Sequence, residues 1–259
     1  KSKKYSKMRT LGISRSNIDY FNKEIIDIKK ILWEIKNIKV STENFSNNEI
    51  LNFKNDKKQI FSIIKNYKLY EILNKKLKKS KLVKFKSQKH YANVDKEKYK
   101  LIINCDPSHK LTKLFTLGRF DKNYNSYAYT TIIKHKKVSK NNTAFQNFTK
   151  NGPIAFLPLS NSETSVVYSL KNTMNKNKGD IVNIIKKFNP KYSIIKINNC
   201  VRFELNSSLP RKYYKDNILA FGDLLHKIHP LAGQGFNMSL RDIKLLSKLI
   251  DDRINIGLD

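Results

Sequence analysis

Residues 217–242 read Asn217-Ile218-Leu219-Ala220-Phe221-Gly222-Asp223-Leu224-Leu225-His226-Lys227-Ile228-His229-Pro230-Leu231-Ala232-Gly233-Gln234-Gly235-Phe236-Asn237-Met238-Ser239-Leu240-Arg241-Asp242. The short apolar run 218–221 predicts a buried strand that ends at Gly222-Asp223. A loop with His226, His229 and Pro230 follows. Gly233-Gln234-Gly235 then opens an apolar pattern at Phe236, Leu240, Ile243, Leu246 and Ile250, spaced three and four apart as on one face of a helix. A strand that delivers a carboxylate, followed by a glycine-rich helix start, suits a phosphorylated or polyhydroxylated cofactor. The carboxylate accepts hydrogen bonds from sugar hydroxyls, and the free N–H groups of a helix start face an anionic or electron-rich group.

Two other chemistries are weaker readings of this stretch. Asp223, His226 and His229 sit three apart, as carboxylate and imidazole metal ligands can. Pro230 and the glycines deny them a regular helix that presents all three on one face, so no metal is expected. A Ser–His hydrolase needs a Gly-x-Ser-x-Gly elbow, and the sequence has none.

The chain has 259 residues, of which 39% are hydrophobic, enough for one or two domains with a sizeable core. It has no run of about 18 apolar residues and no signal-peptide pattern after Lys1. Cys105 and Cys200 show no metal or redox spacing, and each is expected to be a small buried apolar residue in a reducing, cytoplasmic setting. The net charge of +31 raises a nucleic-acid reading. Yet of the 52 basic residues only seven are Arg, and the 45 lysines are spread along the chain instead of forming one stripe. No nucleic-acid partner is expected. Peripheral attraction to an anionic membrane, the inner face of the plasma membrane, is the better use of that charge.

Along the chain, Arg9-Thr10-Leu11-Gly12-Ile13-Ser14 precedes an apolar pattern at Ile18, Phe21, Ile25, Ile28 and Leu32. This predicts a helix within residues 9–35, with Ser16 as N-cap and Trp33 packing on it. Residues 35–40 and 50–53 read as strands, 60–77 as a helix and 99–105 as a strand. From 115 to 170 the texture changes to short runs rich in Tyr, Thr and Ile, separated by Asn141-Asn142, Asn151-Gly152-Pro153 and Asn161-Ser162, the signal of an antiparallel sheet. Residues 179–188 read as a helix and 195–205 as one further strand. The fold class is α/β, mixed α+β, with one domain built from separated segments.

The 217–242 stretch resembles the second flavin-binding motif of FAD-dependent aromatic hydroxylases, most of all the ubiquinone-biosynthesis hydroxylases. Gly222, Asp223, His226, Pro230, Gly233, Gln234, Gly235, Asn237, Arg241 and Asp242 match its pattern. Residues 151–159, Asn151-Gly152-Pro153-Ile154-Ala155-Phe156-Leu157-Pro158-Leu159, look like that family's strand in its substrate domain. Two departures stand out. No Gly-x-Gly-x-x-Gly unit precedes Arg9, so the chain reads as a truncated flavoprotein-monooxygenase fold, a fragment inactive alone. Where the family has Asp-Gly, this chain has Asp106-Pro107, and proline requires a different local turn. Tyr67 stands where an Arg is usual.

The resemblance implies FAD as cofactor, with NAD(P)H as co-substrate and O2 as oxidant. It implies a polyprenylated phenol as substrate and other ubiquinone-biosynthesis enzymes as partners. Cofactor contacts carry over to Gly222, Asp223, Pro230, Gly233, Gln234, Gly235, Asn237, Arg9 and Asp106, and substrate contacts to His229 and Pro158. His226 is expected as a packed, hydrogen-bonded loop residue near the cofactor. A partial FAD-binding domain is expected from residues 1–35, 62–114 and 206–259, with an antiparallel substrate domain from 36–61 and 115–205 inserted into it. The alternatives are a degenerate scaffold subunit without catalysis, for which the Asp106-Pro107 departure speaks, and a basic membrane- or nucleic-acid-binding module.

Overall fold

The computed structural model of the chain describes residues 8–43, 49–87, 93–115, 118–171, 178–228 and 233–257. Its elements run β1 (Thr10–Ser14), α1 (Arg15–Tyr20), β2 (Trp33–Ile35), β3 (Asn37–Thr42), β4 (Glu49–Lys54), β5 (Phe61–Lys65), α2 (Asn66–Lys79), β6 (Ile102–Asn104), β7 (Phe120–His135), β8 (Thr143–Thr149), β9 (Gly152–Pro158), β10 (Glu163–Lys171), α3 (Lys178–Lys187), β11 (Ile194–Ile197), β12 (Val201–Leu209), β13 (Tyr214–Lys215), β14 (Ile218–Ala220) and α4 (Gln234–Asn255). Two compact units arise, Lys1–Lys76 with Asn125–Leu205, and Leu77–Tyr124 with Asn206–Asp259.

The first unit is organised by an eight-stranded sheet of order β11-β7-β10-β9-β8-β3-β4, with β12 also paired to β7. Strand β9 pairs antiparallel with β8 and with β10, as neighbours joined by short turns do, and β7 pairs antiparallel with β10 although β8 and β9 intervene in sequence. The β3–β8 ladder is parallel, Asn37 opposite Thr143 through Thr42 opposite Phe148. No tight turn joins these two sequence-distant strands, so nothing local imposes the antiparallel sense. One face of the sheet presents Tyr129, Ile133, Ile154, Phe156, Val166 and Tyr168 to Ile181 and Ile185 of α3. A smaller sheet of order β1-β5-β2 supplies Ile35 and Ile63, which pack with Ala144. The two sheets are also tied by Thr10 Oγ1 to Ser165 Oγ at 3.1 Å and by Lys65 Nζ to Glu163 Oε2 at 2.6 Å.

A buried polar knot crosses this unit. Asn141, 1% exposed, donates from Nδ2 to the Ser160 carbonyl at 2.7 Å and accepts at Oδ1 from the Tyr192 hydroxyl at 2.9 Å. Its carbonyl accepts from the Trp33 indole N–H at 2.6 Å. His135 Nε2 lies 3.0 Å from Thr164 Oγ1. Burial pushes the Tyr192 hydroxyl up to about 12, so it remains a donor across the ordinary pH range.

Several local expectations are corrected. The helix expected within 9–35 is a strand, a short helix and a π-turn, Phe21–Ile25, followed by extended chain at Ile26. The Asn22 side chain accepts the Ile28 N–H at 2.9 Å, an alternative to a helical partner that ends the run. Trp33 therefore lies on a strand, opposite Ile63. Residues 61–65 are the middle strand of the small sheet, because pairing on both sides outweighs their helical spacing. The single strand expected over 195–205 is two, β11 and β12.

The second unit is built on the order β13-β14-β6. Strands β14 and β6 run parallel, with Ile218 opposite Ile102, Leu219 opposite Ile103 and Ala220 opposite Asn104. Leu111 and Phe115 pack with Ile218, Ala220 and Leu224. No described helix is long and apolar enough to cross a membrane.

Candidate functional site

Parallel pairing of β6 and β14 brings both strand ends out at the same edge of the second unit. The Phe221 N–H still donates to the Asn104 carbonyl at 2.9 Å, one step beyond the strands proper. The next residues are therefore delivered side by side: Cys105 and Asp106 from one strand, Gly222 and Asp223 from the other. The crevice beyond the carboxyl ends of parallel strands is where ligands bind in sheets of this kind.

Gly222 takes φ +61, a left-handed conformation that glycine adopts without a Cβ penalty. It starts a single 3₁₀ turn, Gly222–Leu224, in which the Leu225 and His226 N–H groups donate to the Gly222 carbonyl at 3.0 and 3.1 Å. Within this turn Leu224 is buried in the core and Asp223 is exposed. Asp223 makes no hydrogen bond or ion pair with any described residue, so its carboxylate is available to a ligand. Its charge reaches Cys105. The Cys105 thiol is held above the ordinary cysteine range, by partial desolvation first and by the Asp223 charge second. Cys105 is exposed, which corrects the expectation that it is a buried apolar residue. It lies where the turn leaves the sheet.

Asp106 is used by its own turn. Its Oδ1 accepts from the Ser108 N–H at 2.8 Å and the Ser108 hydroxyl at 2.7 Å. Its carbonyl accepts from Thr112 Oγ1 at 2.8 Å, and its N–H donates to Asn104 Oδ1 at 3.1 Å. Pro107 fits here because the turn needs an N–H from Ser108 and none from residue 107.

Helix α4 begins after Gly233, which has φ +70 and gives the helix no side-chain cap. No acidic residue of the first turn offsets the positive end of the helix dipole. Asn237 is partly buried and donates from Nδ2 to the Gly233 carbonyl at 3.0 Å, which locks the left-handed turn. Gln234 is exposed. Among the described residues a Cβ built on Gly235 meets only Ile228 Cγ1 at 3.7 Å, an ordinary contact, so their packing does not require glycine there. A glycine of this kind at a helix start fits the close approach of a ligand. His226 bonds to Asp242 of α4 at 2.5 Å, an arrangement that no periodicity over their 16-residue separation signals.

These residues fit a flavin dinucleotide: a carboxylate without a partner among the described residues for hydroxyl donors, and a helix start without a side-chain cap for an electron-rich group. Two other assigned residues belong to the first unit. Arg9 is exposed at the start of β1 in the first unit, where its carbonyl accepts from the Asn66 N–H at 3.0 Å. Pro158 ends β9 in that unit, buried and in the same alternation as Ile154 and Phe156. Pro230 and His229 fall outside the described residues. A groove of about 480 Å³ lined by Ile18, Asp19, Trp33 and Glu34 also lies in the first unit and contains none of the assigned residues. Among the described residues no cluster of three or more His, Cys, Asp or Glu is placed to hold a metal.

Comparison with known proteins gives a family and a fold. Residues 116–254 match the family described as FAD binding domain. The chain is 25% identical over 201 residues to the mitochondrial ubiquinone biosynthesis monooxygenase COQ6 of Danio rerio, covering 62% of this chain and 42% of that protein. It is 32% identical over 119 residues to the 3-demethoxyubiquinol 3-hydroxylase of Escherichia coli K12, covering 44% of this chain and 30% of that protein. The matches thus span less than half the length of either relative. The crystal structure of P. aeruginosa PqsL in complex with 2-aminobenzoylacetate superposes with a TM-score of 0.73 at 12% identity, over 97% of this chain and 78% of that one. The mixed α/β architecture is that of the FAD-dependent monooxygenase fold.

Proposed function

This chain belongs to the FAD binding domain family, and from that premise we propose that the whole protein is an FAD-dependent monooxygenase of ubiquinone synthesis. In this reading it hydroxylates a polyprenylated phenol with NAD(P)H and O2. The observation that supports it is the parallel β6–β14 pair, which delivers a free Asp223 carboxylate at the strand ends of the unit that also carries an uncapped, glycine-flanked helix start. The names of the two ubiquinone-pathway relatives support the substrate class.

When bound, FAD supplies the oxygen-transferring redox chemistry, and the protein supplies binding, orientation and exclusion of water. Asp223 accepts hydrogen bonds from the sugar-like hydroxyls of the cofactor. The N–H groups around Gly233, Gln234 and Gly235 face negative charge on the ring system, and Gly222 and Asn237 hold the two turns in shape. Pro230 belongs to the same set, with Asp106 and Arg9 as further cofactor contacts and His229 and Pro158 on the substrate side. The assigned domains are residues 1–35, 62–114 and 206–259 for the cofactor, and 36–61 with 115–205 for the substrate. The lysine-rich surface brings the protein to the inner face of an anionic membrane, where its prenylated substrate and partner enzymes reside.

The test is the full-length protein with and without Asp223→Ala. A hydrogen bond to a charged group is worth roughly 1.5–3 kcal/mol, so FAD affinity should fall about ten- to a hundred-fold. Unfolding of the apoprotein should be unchanged, because Asp223 supports no neighbour among the described residues. Unchanged affinity with a lowered melting temperature would remove Asp223 from the flavin site. A second reading, a scaffold without catalysis, rests on the Asp106-Pro107 turn, whose carboxylate oxygen is already bonded to Ser108. FAD-dependent NAD(P)H oxidation with a hydroxylated product excludes it.

A further inference from the structure

We infer that His226 and Asp242 form a positioning pair that sets the start of α4 against the Asp223 turn, an inference that rests on the flavin reading above. His226 Nε2 lies 2.5 Å from Asp242 Oδ2, with side chains 11% and 29% exposed, so the bond is largely shielded from water. A carboxylate only accepts, so the Nε2 proton points at Asp242. His226 Nδ1 is buried and has no hydrogen-bond partner among the described residues. The ring is therefore oriented by one bond, and that bond leads to α4.

The placement of the pair gives it leverage. His226 is three residues past Asp223, and its own N–H closes the turn onto the Gly222 carbonyl at 3.1 Å. Asp242 lies two turns into α4, about 12 Å along the axis from Gln234 at 1.5 Å per residue. At the head of the helix the same loop comes near again, with Ile228 Cγ1 3.7 Å from where a Cβ on Gly235 would stand. Loop residues 222–228 thus bond to α4 at Asp242 and lie near it at Gly235. The loop itself is fixed to β12 by the reciprocal Ser208–Lys227 backbone pair, at 2.7 and 3.0 Å. Two points define a direction. The pair therefore decides where the first N–H groups of α4 aim relative to the Asp223 carboxylate. Leu245, Leu249 and Ile254 on α4 are at least half exposed, so little packing at that end would restore the direction if the bond were lost.

The experiment uses the full-length protein carrying His226→Ala, Asp242→Ala and the double variant, beside the conservative changes His226→Gln and Asp242→Asn. Gln still donates an N–H from a similar reach, and Asn still offers an oxygen to the ring. FAD titration, the visible spectrum of bound flavin and apoprotein melting are measured on each. The expected result is FAD affinity about ten-fold weaker in each Ala variant, the same spectral shift in both, and a double variant no worse than either single one. His226→Gln and Asp242→Asn should restore affinity and spectrum together. If the Ala variants do not fold, His226→Asn, which stops short of Asp242, replaces them in the comparison with His226→Gln. Wild-type affinity and spectrum in the Ala variants, or additive losses in the double variant, would overturn the positioning role and leave the flavin reading standing. Absence of flavin binding in the wild type would overturn the flavin reading, and the pair's role with it.

Discussion

Glycine at two positions of this chain shows how one residue type serves two physical purposes. Gly152 has φ +138, and a Cβ there would lie 2.1 Å from the Ser169 carbonyl oxygen. Gly222 has φ +61 and, among the described residues, nothing within 4 Å of its Cβ position. Gly152→Ala should therefore cost more than the roughly 1–3 kcal/mol of backbone strain alone, because the backbone of the adjacent strand must also move. Gly222→Ala should cost only the left-handed penalty of about 1–2 kcal/mol. Thermal unfolding of the two variants should separate them, and equal losses would refute the steric argument. Cys105 offers a second test at this scale. Partial desolvation and the Asp223 charge hold its thiol above the ordinary range, so alkylation should reach its midpoint at higher pH than for a free cysteine. Asp223→Asn should lower that midpoint, as read by mass spectrometry of the Cys105 peptide. No change would mean that the two side chains do not sense each other. Gly222 and Gly233 were legible in the sequence because each answers a local backbone demand, a left-handed turn. Cys105 beside Asp223, and His226 on Asp242, were not, because partners more than a hundred or only sixteen residues away leave no periodic trace.

Elements follow local patterns until pairing overrules them. Turn residues at 141–142, 151–153 and 161–162 were enough to read the β8–β9–β10 meander. Residues 61–65 carry helical spacing and still form the middle strand of a sheet. The polar knot around Asn141 holds these elements in register, and Tyr192 is its titratable member. Its hydroxyl is raised from the ordinary value near 10 to about 12 in the folded protein. A raised group contributes stability that is fully present below pH 10 and is lost as pH rises through 12, because the folded state holds the proton that the unfolded chain releases. The loss amounts to about 2–3 kcal/mol across that window. Tyr192→Phe should be less stable at neutral pH by about 1–3 kcal/mol, since Asn141 Oδ1 loses a buried donor. Its stability should also fall less steeply between pH 10 and 12. Parallel wild-type and variant curves in that range would show that Tyr192 does not carry the linkage.

For the whole molecule, charge decides what the surface meets. A net charge of +31 spread over the chain acts at long range but is screened within about 10 Å at 0.1 M salt. The full-length protein should co-sediment with phosphatidylserine vesicles at low salt and be released near 0.5 M, with little binding to phosphatidylcholine. Equal binding to both lipids would discard the electrostatic membrane proposal. The order strand, Gly-Asp, loop, glycine-rich start and helix was determined by the sequence alone. Each part of it is a short-range requirement: a buried apolar run, a left-handed glycine, an uncapped first turn. The mixed α/β class and the antiparallel block were legible for the same reason. Only the tertiary structure decided that β3 lies parallel to β8, and that residues 9–35 divide into strand, helix and π-turn. It also decided that Asp242 holds His226. Those outcomes depend on contacts between distant segments, whose gain in burial and pairing outweighs local preference and leaves no spacing in the sequence to announce it.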